Sequence, residues 1–220
     1  IYNGVVDNAL GVAGALEIAR VISSLDRAPR RSILFVFTTA EEEGNLGSAY
    51  FLEHPPAPLP DLVADINIDG LAFLEAFNDV VGIGGELSEL GEFLDRAVKP
   101  LGLTVAKSDN VMWGHEAFAR SDQAAFAEAG VPSILISEGF DWESTNTADA
   151  VHRMWLWFET RYHTPRDDLQ QPLNFDAARL HCQAVLSLML MVADSPRAPQ
   201  WRPGSSYAYE RLLSRAGHDR

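Results

Sequence analysis

The sequence places carboxylates at the points where strand-like segments end. A run of three glutamates follows one apolar segment and single acidic residues follow two others; these groups are Glu41, Glu42, Glu43, Asp69 and Glu138. In α/β proteins ligands bind outside the carboxyl ends of the strands, so we expect these side chains to converge on one edge of the sheet. Several carboxylates in one cleft repel one another unless a cation neutralises them. The pattern therefore favours a divalent metal site, whereas a glutamate run taken alone is more typical of a solvated helix start.

Two further groups could complete such a site. His163 stands at the end of a long aromatic-rich segment, and Asp7 directly precedes an apolar helical pattern. Imidazole and carboxylate are both common ligands of zinc. Taken separately, a lone histidine is more often a surface residue, and Asp7 with Asn8 fits a helix N-cap. Only the combination of all these groups points to metal chemistry.

The predicted elements around these groups alternate between strands and helices. Strands are predicted at residues 31–38, 62–68, 79–83 and 133–136. Helices are predicted at residues 8–25, 48–53, 87–98, 121–129 and 174–194. The alternation predicts an α/β fold around a mostly parallel, buried sheet. Residues 138–165 are predicted to form a long connection, a feature that in compact domains is more often functional than accidental.

The chain of 220 residues fits one domain with a short appendage. Prolines become frequent after Asp194, and the apolar periodicity of the preceding helix stops there. We therefore predict a main domain at residues 1–193 and a C-terminal extension at residues 194–220.

The charge balance and the residue counts exclude several classes of protein. Lysine and arginine number 17 against 31 aspartates and glutamates, for a net charge of −14. An acidic surface repels phosphate backbones, so we expect no nucleic-acid partner. The longest apolar run is half of the roughly 20 residues that cross a bilayer, so no membrane span is predicted. The single cysteine, Cys182, excludes an intrachain disulfide and a cysteine-based zinc cluster.

Five segments in the order of the chain together resemble the motifs of the M28 family of zinc aminopeptidases. They are GVVDNALGVA (residues 4–13), TAEEEGNLGS (39–48), NIDG (67–70), SDQAAFAEAGVP (121–132) and YHTPRD (162–167). The family versions read Gly-x-x-Asp-Asn-(Ala/Gly)-Ser-Gly, AEE-x-G-x-x-GS, a strand-end Asp, SDH-x-x-F-x-x-x-G-I-P and a late Tyr-His-Thr-Pro. The resemblance covers most of the chain and implies a three-layer α/β sandwich of the phosphorylase/hydrolase-like type, with a mixed, mostly parallel sheet.

The resemblance also implies a ligand set for two zinc ions. Asp7 would bridge the two ions, Glu42 and His163 would complete one site, and Asp69 would serve the other. Glu41 would be the general base, and Tyr162 would donate a hydrogen bond to the oxyanion. The implied reaction is the hydrolysis of N-terminal residues from peptides with a free N-terminus.

Two departures from the family pattern qualify this expectation. The remaining family ligand is a histidine about a dozen residues before the bridging aspartate, a point that here falls upstream of Ile1. The chain also opens without an initiator methionine or a signal sequence, so we expect an N-terminally truncated domain whose first strands are missing. Such a segment should hold one zinc ion or fewer, and its activity by itself is doubtful. The second departure is Gln123, which stands where the family often has histidine.

The same residues are also compatible with other classes of protein. Relatives on this architecture include glutaminyl cyclases, which hold one zinc ion, and carboxypeptidases. A binding module that has lost its metal is a further alternative, which the five retained polar groups argue against. The resemblance implies a secreted or periplasmic location.

Overall fold

The computed structural model describes residues 2–107 and 114–218, and its four strands form one mixed sheet. The strands are β1 (Asp65–Asn67), β2 (Asp79–Ile83), β3 (Thr104–Ala106) and β4 (Ser133–Glu138). Their order in the sheet is β1-β4-β2-β3. The pairs β1–β4 and β2–β3 are parallel and the pair β2–β4 is antiparallel. The sheet is therefore mixed and mostly parallel, as predicted.

Helices connect these strands. Those of the described residues are α1 (Gly11–Ser23), α2 (Leu46–Glu53), α3 (Leu90–Val98), α4 (Gln123–Glu128), α5 (Thr147–Thr160), α6 (Phe175–Asp194) and α7 (Tyr207–His218). A π-helical turn, Val5–Leu10, leads into α1. Single 3₁₀ turns occur at Leu59–Asp61, Gly85–Leu87 and Lys99–Leu101, and a longer 3₁₀ segment occurs at Gly114–Arg120.

Helices cover both faces of the sheet. Successive side chains of a strand point to opposite faces, so the apolar side chains of one strand can enter two separate cores. In β4, Ile134 and Ile136 enter the larger core together with side chains of α1, α3, α5 and α6. Leu135, which lies between them, enters a smaller core with residues of α4 and the buried Trp201. This three-layer arrangement confirms the predicted fold class.

The apolar segment at residues 31–38 differs from its prediction, because it does not form a strand. Its residues line a groove of about 1110 Å³, which we call the edge groove, and β1 lines the same groove. Leu34 and Phe37 are 53% and 49% exposed. A strand exists through ladder hydrogen bonds to a neighbouring strand. No described residue pairs with this segment in such a ladder.

The predicted connection at residues 138–165 is also wrong in part, because it contains helix α5. The side chain of Asn146 caps this helix by accepting a hydrogen bond from the backbone N–H of Asp149. The buried residues Ala150, Met154 and Trp157 are spaced i, i+4, i+7, which is the spacing of one helical face. The periodicity was therefore present in the sequence, within a segment that was predicted to be a connection.

By length and composition, α6 could cross a membrane. In the structure its buried residues Ala184, Val185 and Leu188 belong to the larger core. A core helix of a folded domain has this character.

The segment after α6 packs against the main body of the chain. The indole N–H of Trp201 donates to the carbonyl of Gly130 at 2.9 Å. Arg211 donates to the carbonyls of Leu59 and Pro60 at 3.1 and 3.0 Å. The division at residue 193 stays a prediction, because these contacts are compatible with either an extension or part of one domain.

Candidate metal centre

Asp7 is held beside the end of β1 by its neighbour Asn8. The side-chain amide of Asn8 donates to the carbonyl of Ile68 at 3.1 Å and accepts from the N–H of Gly70 at 2.8 Å. These two backbone groups flank Asp69. One side chain therefore joins the turn that carries Asp7 to the turn that carries Asp69.

A buried aspartate from the other end of the chain fixes the backbone of the same turn. The carboxylate of Asp167, which is 2% exposed, accepts hydrogen bonds from the N–H groups of Val6 and Asp7. It also accepts from the side-chain amide of Gln171 at 2.6 Å. Gln171 in turn accepts from the indole N–H of Trp157 at 2.8 Å. Each of these side chains has a hydrogen-bond partner, so this network holds the turn in one defined position.

Three potential ligands converge at this turn. The Nε2 atom of His163 lies 2.6 Å from Oε1 of Glu42 and 3.2 Å from Oδ2 of Asp7. One ligand atom from each of the three lies within 4.8 Å of the other two. We call these residues the ligand cluster. Their chemistry, two carboxylates and one imidazole, is a common donor set for a catalytic zinc ion.

His163 occupies a strained backbone position. Its φ of 53° lies in the left-handed region, which a residue with a side chain rarely adopts. Its ring stacks on the ring of Tyr162, with 3.7 Å between the centroids. Backbone strain of this kind persists where the surrounding structure over-determines the position, which is common at functional sites.

The carboxylates of the site repel one another. Burial, and then the charges of Asp69 and Glu42, raise the pKa of Asp7 to about 7. Burial is also the main cause of the raised pKa of Asp69, which the hydrogen bond from Ser121 opposes. A bound cation would remove this repulsion and restore the ionised forms.

Glu41 lies next to the ligand cluster without belonging to it. Burial, and then the charges of Asp69 and Glu42, raise its pKa to about 8. Its carbonyl accepts from the N–H of Asn45 at 2.8 Å, which closes the turn after the segment at residues 31–38. A carboxylate with a raised pKa is suited to accepting a proton near neutral pH.

Tyr162 lines the same cavity as Glu41 and the ligand cluster. Burial, and then the charges of Asp7 and Glu42, raise its pKa above the usual range. Its hydroxyl group therefore keeps its proton at neutral pH and can act as a hydrogen-bond donor.

Asp69 lines the same cavity as the ligand cluster but does not belong to the cluster. Ser121, its hydrogen-bond partner, accepts from the amide of Asn67 at 2.9 Å. Asn67 also donates to the side chain of Gln123 at 2.8 Å. Gln123 is fully buried and donates to the carbonyl of Phe118 at 2.6 Å. This residue thus supports the wall behind Asp69.

Glu138 and Glu43, the remaining acidic residues that follow predicted strands, differ in position. Glu138, the last residue of β4, lines the cavity at the ligand cluster, as its predicted position at the carboxyl end of that strand implies. Glu43 is exposed and lines neither that cavity nor the edge groove. The roles of Asn8 and Asp167 were missed by the sequence analysis, although both lie inside the matched motifs; a polar residue next to a ligand motif was the available signal.

A family model described as Peptidase family M28 matches residues 2–189. The chain therefore belongs to this family. It is 28% identical to a vacuolar membrane protease of Schizosaccharomyces japonicus over 84% of its own length and 19% of the relative's. It is 28% identical to aminopeptidase YwaD of Bacillus subtilis over 76% of its own length and 33% of the relative's. The chain thus spans about a fifth to a third of these curated relatives.

Two solved structures share the fold. A zinc aminopeptidase from Bacillus subtilis superposes with a TM-score of 0.65 and 23% identity, over 90% of this chain and 44% of the other. An aminopeptidase from Aneurinibacillus sp. strain AM-1 superposes with a TM-score of 0.62 and 21% identity, over 91% and 41%. These similarities confirm the α/β architecture.

Proposed function

We propose that the chain belongs to the catalytic part of a metal-dependent exopeptidase that removes N-terminal residues from peptides. The observation that carries this proposal is the ligand cluster of Asp7, Glu42 and His163 beside Glu41. Family membership and the names of the relatives, which include aminopeptidases, support the same reaction class.

Zinc fits the residues of this site. Asp7, Glu42 and His163 offer three ligands, the usual number of protein ligands at a catalytic zinc ion. The raised pKa of Asp7 indicates that its surroundings favour a neutral group unless a cation is present. Zinc held there would polarise the scissile carbonyl and activate a water molecule.

The other residues have separate tasks in this proposal. Glu41 takes the proton from the attacking water and returns it to the leaving amine. Tyr162 donates a hydrogen bond to the oxyanion that develops on the carbonyl oxygen. Asp7 and Asp69 would serve as the chain's own ligands for a second zinc ion.

The proposed substrates are peptides with a free N-terminus. A secreted or periplasmic location is proposed on the family resemblance. One relative is named a vacuolar membrane protease, which supports a location outside the cytosol.

The decisive experiment measures zinc-dependent hydrolysis of leucine p-nitroanilide and of its N-acetylated form by the chain. We expect release of p-nitroaniline from the free amine alone, and its loss on chelation. Release of the C-terminal residue from an N-blocked dipeptide would instead support a carboxypeptidase. Formation of pyroglutamate from a glutaminyl peptide would support a cyclase. Failure to bind zinc at all would support a binding module.

A further inference from the structure

A recess extends from the ligand cluster into the protein. This recess, which we call the inner cavity, has a volume of about 240 Å³. This volume is below the roughly 300–1,000 Å³ of pockets that hold a drug-sized ligand, so it suits one amino-acid side chain and not a longer peptide. The apolar walls include Phe140, Met154 and Trp157, each of which is at most 8% exposed.

One carboxylate of the inner cavity has no part in the proposed metal site. Glu138 is the last residue of β4 and lies outside the ligand cluster. The hydroxyl of Ser137 approaches its Oε2 at 3.5 Å, the outer limit for a hydrogen bond. No lysine, arginine or histidine of the described residues forms an ion pair with it.

The described residues around Glu138 supply hydrogen bonds but no ion pair for its charge. Burial raises its pKa, hydrogen bonds from its own backbone N–H and from the Ser137 hydroxyl oppose this rise, and the carboxylate of Asp79 adds to it. Arg120 also lines the inner cavity, but it is exposed and its charge lowers the pKa of Tyr162, at the metal end. A buried charge is unfavourable unless it is paired.

Resting on the proposed aminopeptidase function, we propose that Glu138 selects substrates whose N-terminal residue is lysine or arginine. The aliphatic stem of such a side chain would pack against Met154 and Trp157, and its terminal cation would pair with the Glu138 carboxylate. Long cationic side chains bury their stems along apolar surface in this way. A substrate with an uncharged side chain would leave the carboxylate unpaired in the complex, which lowers its affinity.

The test compares L-lysine amide with L-norleucine amide, which has the same stem without the terminal amine. Binding of each compound to the zinc-loaded chain is measured by calorimetry, together with hydrolysis of lysine and leucine p-nitroanilides on the same sample. We expect lysine amide to bind at least about 30-fold more tightly, the lower range for one partner of a buried charge pair. Glu138→Gln should abolish this preference and leave the affinity for norleucine amide unchanged or improved.

Two further variants control the measurement. Glu143→Gln removes the same charge from an exposed residue that does not line the inner cavity, so it should keep the preference. Glu138→Asp retains the carboxylate, so it should retain part of the preference and show that loss in Glu138→Gln is not a folding defect.

Equal affinity of the native chain for the two amides, or no binding of lysine amide, would overturn the proposal. So would an equal loss of both in Glu138→Gln, because Glu138 would then bind the α-amine that every substrate shares. A lysine preference that depends on Glu138 without any turnover would support the cavity assignment while the proposed reaction fails. Turnover without a lysine preference would overturn the selectivity alone.

Discussion

The carboxylate of Asp167 accepts a hydrogen bond from the backbone N–H of Asp7 at 3.0 Å, although the two residues are 160 positions apart. The same carboxylate holds the N–H of Val6 at 2.9 Å. Asp7 is the proposed bridging ligand, and Asp167 reaches its backbone rather than its side chain. Asp167 is therefore a positioning residue, whose removal should alter metal binding before it alters the fold.

We expect Asp167→Asn to weaken zinc binding by about 10- to 100-fold, the usual effect of losing a partner behind a metal ligand. Both carboxylate oxygens accept hydrogen bonds, one from Asp7 and the other from Val6 and Gln171. An amide NH2 group in either position would therefore face a donor. Competition with a chromophoric chelator measures the affinity. Asp168→Asn, the same change at the next residue, is the matched control and should bind zinc normally. An unchanged affinity in folded Asp167→Asn would remove the positioning role.

Glu41→Gln should retain zinc and lose turnover by a factor of about 10² to 10⁴, the usual contribution of a general base. Glutamine has nearly the same shape but cannot accept the proton from water. The measurement is the hydrolysis of an aminoacyl p-nitroanilide, with zinc content determined in parallel. Glu43→Gln, at an exposed glutamate, should leave both unchanged. Loss of zinc in Glu41→Gln would show that Glu41 and Glu42 had been assigned the wrong way round.

The chain should bind at most one zinc ion tightly, and His163→Ala should abolish that site. Among the described residues the ligand cluster is the one group of three that could hold a metal ion. Titration of the metal-free chain with zinc at pH 7 counts the tight sites. His54→Ala removes an exposed histidine and should change nothing. Two equally tight sites that survive His163→Ala would contradict the ligand assignment.

Zinc affinity should rise with pH up to about 7 and then level off. The pKa of Asp7 in the folded protein is about 7 and the ordinary value is 3.8, so a proton competes with the metal below neutrality. The folded, metal-free chain also binds more protons than the unfolded chain in this range. The contribution of Asp7 to the stability of the fold therefore falls as the pH rises from 3.8 to 7, and zinc should offset this fall.

Thermal unfolding with and without zinc at about pH 5.5 and 7.5 tests this relationship, and calorimetry measures the affinity. The increase in Tm on adding zinc should be larger at the higher pH. Magnesium at equal ionic strength is the control. A zinc affinity independent of pH would show that Asp7 does not take up a proton in competition with the metal.

Asp65→Asn should stabilise the chain more at about pH 8 than at about pH 5. Burial, and then the charge of Asp122, raise the pKa of Asp65 to about 7. Its Oδ2 atom also has no hydrogen-bond partner among the described residues. Above pH 7 the folded protein must hold this carboxylate ionised and buried, and the amide removes that cost.

The comparison of Tm values for the two forms at each pH provides the measurement. Asp61→Asn, at an exposed aspartate nearby, should have a small effect that does not depend on pH. An Asp65→Asn chain that is less stable at both pH values would show that the carboxylate is satisfied in the folded state.

The sequence predicted correctly those helices and strands whose apolar pattern matches the side chains that they bury. The prediction for β2 at residues 79–83 matches the structure, and the helix predicted at 174–194 begins one residue later, at Phe175. The segment at residues 31–38 has the composition of a buried strand but lies along the edge groove without a ladder. Apolar composition is a property of the segment alone, whereas ladder hydrogen bonds require a neighbouring strand. The composition therefore could not show whether residues 31–38 form a strand.

The candidate site was likewise predicted only in part. The motifs identified Asp7, Glu42 and His163 as potential ligands, and the structure brings their ligand atoms within 4.8 Å of one another. No motif indicated that Asp167 would reach the backbone of Asp7, or that Asn8 would join the two acidic turns. These contacts connect distant parts of the chain, which local spacing does not encode.

The sequence by itself determined the class of fold, the family motifs and the types of residue available for metal chemistry. Tertiary structure alone decided which of these groups share a cleft, how far burial raises their pKa values, and which carboxylate faces the inner cavity. The physical reason is that residue type and period are local properties of the chain. Electrostatic interaction and burial instead depend on distances between residues such as Asp7 and His163, which only the folded chain brings together.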